Sequence, residues 1–226
     1  MIGNDAYTRV PRLRTAVSDA TAVGAALERQ YGYEVTVLRN ATRDDMVGAL
    51  DTFRRRLAPN DNLLVYYAGH GVLDESSGQG YWLGVDADRD SVVKWVSNAT
   101  VTDALKAMKA KHVMVVADSC YSGTLTRGIK LAKREGDYFK RMAGMRTRVA
   151  LTSGGLEPVE AGSDGHSVFA RAFLAALKQN TSVLGGMALF NALDRRVRLD
   201  TDQTPAYGDI RRAGHEGGDF LFVRPK

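Results

Sequence analysis

Two periods of apolar residues divide the first half of the chain into alternating helices and strands. Val17, Ala20, Val23, Gly24, Leu27 and Tyr31 recur at helical spacing after Pro11, and Gly32 follows as a stop. Tyr33 to Leu38 alternates and reads as a strand. Asn40 to Asp44 turns the chain, with Thr42 placed to cap the next helix and Asp45 three residues on. Met46, Leu50, Phe53 and Leu57 mark that helix, which Pro59, Asn60 and Asp61 end. Asn62 to Ala68 is an apolar, aromatic-rich run, the pattern of a strand buried on both faces. Strand, helix, strand, helix, strand indicates a doubly wound α/β arrangement with parallel pairing and right-handed connections.

The second half continues the alternation less regularly. Leu73 to Gly80 is a polar loop rich in Gly and Ser, and Tyr81 to Val85 forms a short strand in a hairpin. Thr100 or Thr102 caps a helix that runs through Met108. Lys111 and His112 open a β-branched run, Val113 to Ala117, of buried-strand length. Leu125 to Arg148 carries few apolar anchors and reads as a solvated, partly helical loop. Arg148 to Ser153 is the next strand. Ser167 to Leu177 is a helix with Phe169, Ala170, Phe173, Leu174 and Leu177 on one face, and Met187 to Leu199 is another. Gln203 to Tyr207 reads as a turn, and Gly217 to Val223 as a last strand, a free edge or a dimer seam.

The two buried runs end alike. Ala68 is followed by Gly69, His70 and Gly71; Ala117 is followed by Asp118, Ser119, Cys120, Tyr121, Ser122 and Gly123. If the strands are parallel neighbours, about 4.8 Å apart, both ends emerge at one edge of the sheet. Open α/β sheets bind their ligands at that edge. Cys120 is the single cysteine, so it forms no internal disulfide and is free for chemistry. A histidine is the usual partner that draws a proton from a thiol or stabilises its thiolate. His112 begins the strand that leads to Cys120 and is over about 20 Å from it, which excludes it as that partner. His166 and His215 fall in loop-like stretches and read as solvated histidines.

The stretches Tyr66-Tyr-Ala-Gly-His-Gly71 and Asp118-Ser-Cys-Tyr-Ser-Gly123 resemble the His and Cys motifs of the caspase-like cysteine peptidases, family C14 of clan CD. His70 precedes Cys120 by 50 residues, a spacing usual there. The closer resemblance is to metacaspases and their bacterial, orthocaspase-type relatives, because the animal Gln-Ala-Cys pattern is absent. The resemblance covers nearly the whole chain, 1–226, as one peptidase domain. It implies a caspase-like three-layer αβα fold with about six strands, mostly parallel, and helices on both faces. Met1 to Tyr7 resembles the end of that family's first strand, so a short or truncated first strand is expected, in a fragment of a longer protein.

The expected activity is a cysteine endopeptidase using a Cys120/His70 dyad, with backbone N–H groups of Gly71 and Cys120 as the implied oxyanion hole. A carboxylate at the foot of the cleft favours Arg or Lys in the substrate, because an Arg fork pairs with it bidentately. The resemblance places Asp118 in that pocket, with Asp19 at the start of the first helix as the second acid and Ser153 as a wall. Such specificity makes the basic stretch a candidate processing region, through Arg127, Lys130, Lys133, Arg134, Lys140, Arg141, Arg146 and Arg148. The implied partners are protein or peptide substrates with Arg or Lys at the cleavage site, an upstream activating protease, and a fused sensor domain. No cofactor or metal is expected. Calcium, which many metacaspases bind through acidic clusters, would draw on the run Asp86, Asp88 and Asp90. The alternative is a catalytically silent caspase-like scaffold or signalling domain.

Composition narrows the field further. The formal charge of +5 and sequence pI of about 9.3 raise nucleic acid as a partner. However, Lys and Arg are spread widely and aromatic residues do not interleave them as a stacking platform requires, so no nucleic-acid partner is expected. No apolar run approaches a bilayer-spanning length and no signal peptide is recognised, so no membrane partner is expected. With one cysteine, the expected location is the reducing cytoplasm.

Overall fold

The structure is a computed structural model that describes residues 1–119, 126–128 (backbone alone), 137–154 and 165–225. The described strands are β1 (Ile2–Gly3), β2 (Leu38–Arg39), β3 (Asn62–Ala68), β4 (Gly71–Asp74), β5 (Gln79–Leu83), β6 (Trp95–Ser97), β7 (His112–Asp118), β8 (Thr126–Gly128), β9 (Thr147–Thr152), β10 (Val183–Gly185), β11 (Ala206–Ile210) and β12 (Leu221–Val223). The helices are α1 (Ala16–Tyr31), α2 (Arg43–Arg56), α3 (Asn98–Ala107), α4 (Tyr138–Gly144), α5 (Val168–Gln179) and α6 (Gly186–Asp200).

The central sheet runs β2-β1-β3-β7-β9-β11-β8. The first five strands are mutually parallel, and β11 is antiparallel to both β9 and β8. This is the expected six-stranded, mostly parallel sheet, with the three-residue β8 added at its edge. Strand side chains alternate between two faces. Leu64, Tyr66, Met114, Val116, Val149 and Leu151 pack with α1, α5 and α6; Leu63, Val65, Val113 and Val115 pack with α2 and α3. The two clusters make the three layers. The parity carries beyond the core: Asp118 and Ser153 continue the face of Met114, Val116, Val149 and Leu151, so they are directed at α1 and α5.

Capping follows the sequence in two helices and departs from it in a third. Gly32 ends α1 with φ +70°, in the left-handed region that glycine tolerates. Thr42 and Asp45 form a reciprocal capping box on α2. At α3 the cap is Ser97, whose hydroxyl accepts from the Thr100 amide, so neither Thr100 nor Thr102 is the cap.

Three further expectations need correction. Tyr33 to Leu38 is not a six-residue strand: β1 offers only Ile2 and Gly3 as partners, opposite Leu38 and Arg39. Residues Tyr33 to Thr36 instead line a cavity of about 550 Å³ with Leu63 to Val65 and α2; it carries none of the predicted site residues. Leu73 and Asp74 belong to β4, which forms a hairpin with β5, extended by β6. Ala206–Ile210 is a strand rather than a turn, with Tyr207 and Ile210 buried in the core. The expected last strand is present as β12, which pairs with β10 in a separate antiparallel ribbon.

Arg148 departs most from its expected environment. It sits in β9 with no exposed surface. Its Nε donates to Leu105 O, Nη1 to Lys111 O and Thr147 O, and Nη2 to Met108 O and Ala110 O. All five guanidinium N–H groups are therefore used. Four of these carbonyls lie at the end of α3 and in the turn leading to β7, and the fifth is that of Thr147 in β9 itself. Burial lowers its pKa to about 10, so it remains charged at neutral pH. It is thus a structural clamp, not a member of a solvated loop.

Candidate active site

The register of β3 on β7 brings the two motif-bearing ends together. Asn62 pairs with His112, and each step keeps register to Ala68 opposite Asp118. His112 is buried at the far end, where its Nε2–H donates to Ala143 O and its Nδ1 contacts Thr147 Oγ1. Cys120, two residues past the end of β7, lies outside the described residues, as do Lys130, Lys133 and Arg134 and the side chain of Arg127.

His70 is held from three sides. Its backbone N–H donates to Tyr7 Oη at 2.9 Å, and its carbonyl accepts from Tyr67 Oη at 2.6 Å. Its Nε2 lies 2.7 Å from Pro11 O. A carbonyl can only accept, so Nε2 carries the hydrogen, and Nδ1 of a neutral ring is left as the acceptor. Tyr7 also packs its ring against the imidazole, with centroids 4.7 Å apart, while Tyr67 stacks on Trp82. Burial pushes the Tyr7 phenol up to about 12, which keeps it a neutral acceptor and donor. Gly69 cannot carry a side chain here: a Cβ would come within 2.7 Å of both tyrosine hydroxyls. Gly71 is buried at the start of β4, opposite Trp82.

The acids predicted to floor the pocket converge. Asp19 is 1% exposed and Asp118 3% exposed, and Ser167 bridges them. The Ser167 amide donates to both carboxylate oxygens of Asp19, at 3.4 and 3.2 Å, and its hydroxyl donates to Asp118 Oδ2 at 2.5 Å. Ser167 also caps α5 by accepting from the Ala170 amide, so the positive end of that helix faces the pair. Burial raises the Asp118 carboxyl to about 7; the Ser167 bond opposes that shift and the Asp19 charge adds to it. Burial also raises Asp19, opposed by hydrogen bonds from His166 and Ser167.

Ser153 and Tyr66 adjoin Asp118 on the same face of the sheet. Among the described residues, the Ser153 and Tyr66 hydroxyls and Asp118 Oδ1 are buried without a hydrogen-bond partner of ordinary geometry. Such a group costs about 1–3 kcal/mol and calls for a ligand or water.

Two histidines are not the solvated loop residues expected from their neighbours. His166 Nδ1 lies 2.6 Å from Asp19 Oδ1, with the side chain 29% exposed. His215 Nδ1 accepts from the Arg148 amide at 3.1 Å. Sequence reading also missed Tyr7, Pro11 and Tyr67 around His70. No local signal marks them, since each acts through contacts distant along the chain. Ser167 did carry a signal, as a serine directly before an amphipathic helix.

In the acidic run Asp86, Asp88 and Asp90, the first two carboxylates are engaged in other contacts. Asp86 accepts from the Arg43 amide and pairs with Lys94 at 3.3 Å. Asp88 pairs with Arg9 at 2.6 Å, and its other oxygen accepts from the Asp90 amide. Among the described residues, no group of three or more His, Cys, Asp or Glu side chains is arranged to hold a metal ion. Nor is any helix among them long and apolar enough to cross a membrane.

A mostly parallel sheet, helices on both faces, and motif ends meeting across its two central strands define a caspase-like α/β protein. The chain belongs to the caspase domain family, Peptidase C14, whose model matches residues 1–212. Caspase-1 from Spodoptera frugiperda superposes with a TM-score of 0.68 at 15% identity, covering 92% of this chain and 84% of the other. Protein GSU0716 from Geobacter sulfurreducens gives 0.66 at 17% identity, covering 96% and 95%. The mouse homolog of mucosa-associated lymphoid tissue lymphoma translocation protein 1 is 34% identical over 87 residues, 38% of this chain. That match spans 10% of the mouse protein.

Proposed function

We propose that this caspase domain is a cysteine endopeptidase, of the bacterial metacaspase and orthocaspase type, that cleaves after Arg or Lys. The observation that carries this reading is the acid pair Asp19 and Asp118, buried at the carboxyl end of β7 beside the cysteine motif. A buried carboxylate pair, flanked by two hydroxyls and with one oxygen lacking a hydrogen bond of ordinary geometry, is suited to a cationic side chain rich in donors. It would repel an acidic one.

In this mechanism the Cys120 thiolate attacks the scissile carbonyl carbon. The resulting oxyanion lies against the N–H groups of Gly71 and Cys120, each worth about 2.7–4 kcal/mol when aligned. The C–N bond breaks as His70 gives a proton to the leaving amine. Water then hydrolyses the thioester. The contacts of His70 support its part: Pro11 O takes Nε2–H, so Nδ1 is the atom that exchanges the proton.

Processing in the basic segment forms part of the same proposal. Lys140 and Arg141 are exposed on the short helix α4. Arg146 is half-buried, with Nη2 on the carbonyls of Lys106 and Met108, and Arg148 is fully buried, so neither belongs among the sites. The test of the activity is labelling with a peptidyl-Arg chloromethyl ketone. The proposal requires alkylation at Cys120 that His70→Ala suppresses; an unlabelled wild-type protein contradicts it.

A further inference from the structure

We propose that the acid pair takes up its cation in exchange for a proton, and that His166 is the positioning residue that sets the pH of the exchange. The inference rests on the reading of Asp19 and Asp118 as the floor of the substrate pocket.

The geometry makes the pair a single titrating unit. Two carboxylates, 1% and 3% exposed, are tied to one serine, whose amide serves Asp19 and whose hydroxyl serves Asp118. Buried like charges that share a site do not both ionise without a counter-charge. The titratable groups facing the pair among the described residues are His166, at the amino end of α5, and Tyr66 from β3. Burial and both carboxylates push the Tyr66 phenol well up, so it stays neutral and supplies no charge. Among the described residues, His166 is the basic side chain that contacts the pair, through Asp19. Asp118 has no such partner. Its Oδ2 is taken by Ser167, and its Oδ1 has no hydrogen bond of ordinary geometry, with the neutral Ser153 and Tyr66 hydroxyls beside the carboxyl.

The proton of the empty pocket consequently resides on Asp118, whose raised pKa agrees with that placement. An arriving guanidinium or ammonium supplies the missing positive charge, and the Asp118 proton leaves to solvent. The imidazole of His166 and the amide of Ser167 favour the ionised form of Asp19 against the burial that raises it. Affinity for a basic side chain should then rise with pH across neutrality. Loss of His166 should raise the proton affinity of the whole pair.

The test has two readouts. Calorimetry of a peptide with one central Arg binding to the full-length Cys120→Ala protein, in buffers of different ionisation enthalpy, counts protons released. We expect release near pH 7 that vanishes about two pH units higher. In the active protein, KM for the Arg peptide should fall as pH rises through a midpoint. His166→Gln should move that midpoint up and His166→Lys should move it down, each by about half a unit or more. A purely structural role for His166 would alter KM equally at every pH. An Arg peptide that binds and turns over with no proton release and a flat KM overturns the exchange. A wild-type protein that ignores Arg peptides at all pH values overturns the parent reading and the exchange with it.

Discussion

Asp19 of α1 and Asp118 of β7 accept hydrogen bonds from one residue, Ser167, which also caps α5. A helix start is thereby used to gather two like charges under the carboxyl edge of a parallel sheet. Folding alone gives no reason to do so, because each carboxyl is raised by burial.

That cost is measurable at Asp118. The unfolded carboxyl titrates near 3.8 and the folded one at about 7. Between those values the folded state holds more protons, so the Asp118 contribution to stability falls as pH rises and is at its least favourable above pH 7. Urea unfolding of Asp118→Asn should therefore show a gain over wild type at pH 8 that is absent at pH 4. The difference between the two pH values should be on the order of 1 kcal/mol or more. The same variant should lose at least about tenfold in kcat/KM on Arg peptides, as expected for a lost charged hydrogen bond.

Tyr7 should matter through His70. Tyr7→Phe removes the acceptor of the His70 amide and leaves the ring to pack as before. An orphaned donor costs about 1–3 kcal/mol. Steady-state kinetics should show kcat reduced roughly tenfold with KM little changed.

Arg148 should be intolerant of change although it lies far from the chemistry. Arg148→Met removes five hydrogen bonds to buried carbonyls, among them that to Ala110 O, and Arg148→Lys cannot span them. Each variant should lose at least about 1–3 kcal/mol in chemical denaturation, the cost of leaving a buried acceptor unpaired.

The elements that sequence made legible are those whose pattern is local. The β3 and β7 runs, the α1 stop at Gly32 and the capping box at Thr42 were all readable, and each depends on neighbours within a turn or a strand. The strand ends that precede His70 and Cys120 were readable as matched, and Ala68 lies opposite Asp118, although Cys120 itself is outside the described residues. Elements set by distant pairing were not. Tyr33 to Val37 has strand composition, but strand structure needs a partner, and β1 reaches only Leu38 and Arg39. Residues 206–210 contain Gly208 and Asp209, which mask a buried strand. Arg148 looked like one more charge in a basic run; only the turn of carbonyls around it reveals its burial. His166 looked like a loop residue because Asp19, its partner, is far away in sequence.

Processing is tested by intact mass. Active protein should show cleavage between residues 127 and 146 that Cys120→Ala lacks. Equal masses for the two would remove self-processing from the account.

The most direct measurement compares matched fluorogenic peptides ending in Arg, Lys or Asp with wild type and Cys120→Ala. The account predicts turnover of the Arg and Lys peptides, none of the Asp peptide, and loss of all turnover in Cys120→Ala. Turnover of the Asp peptide, or Arg cleavage that survives removal of the thiol, would contradict it.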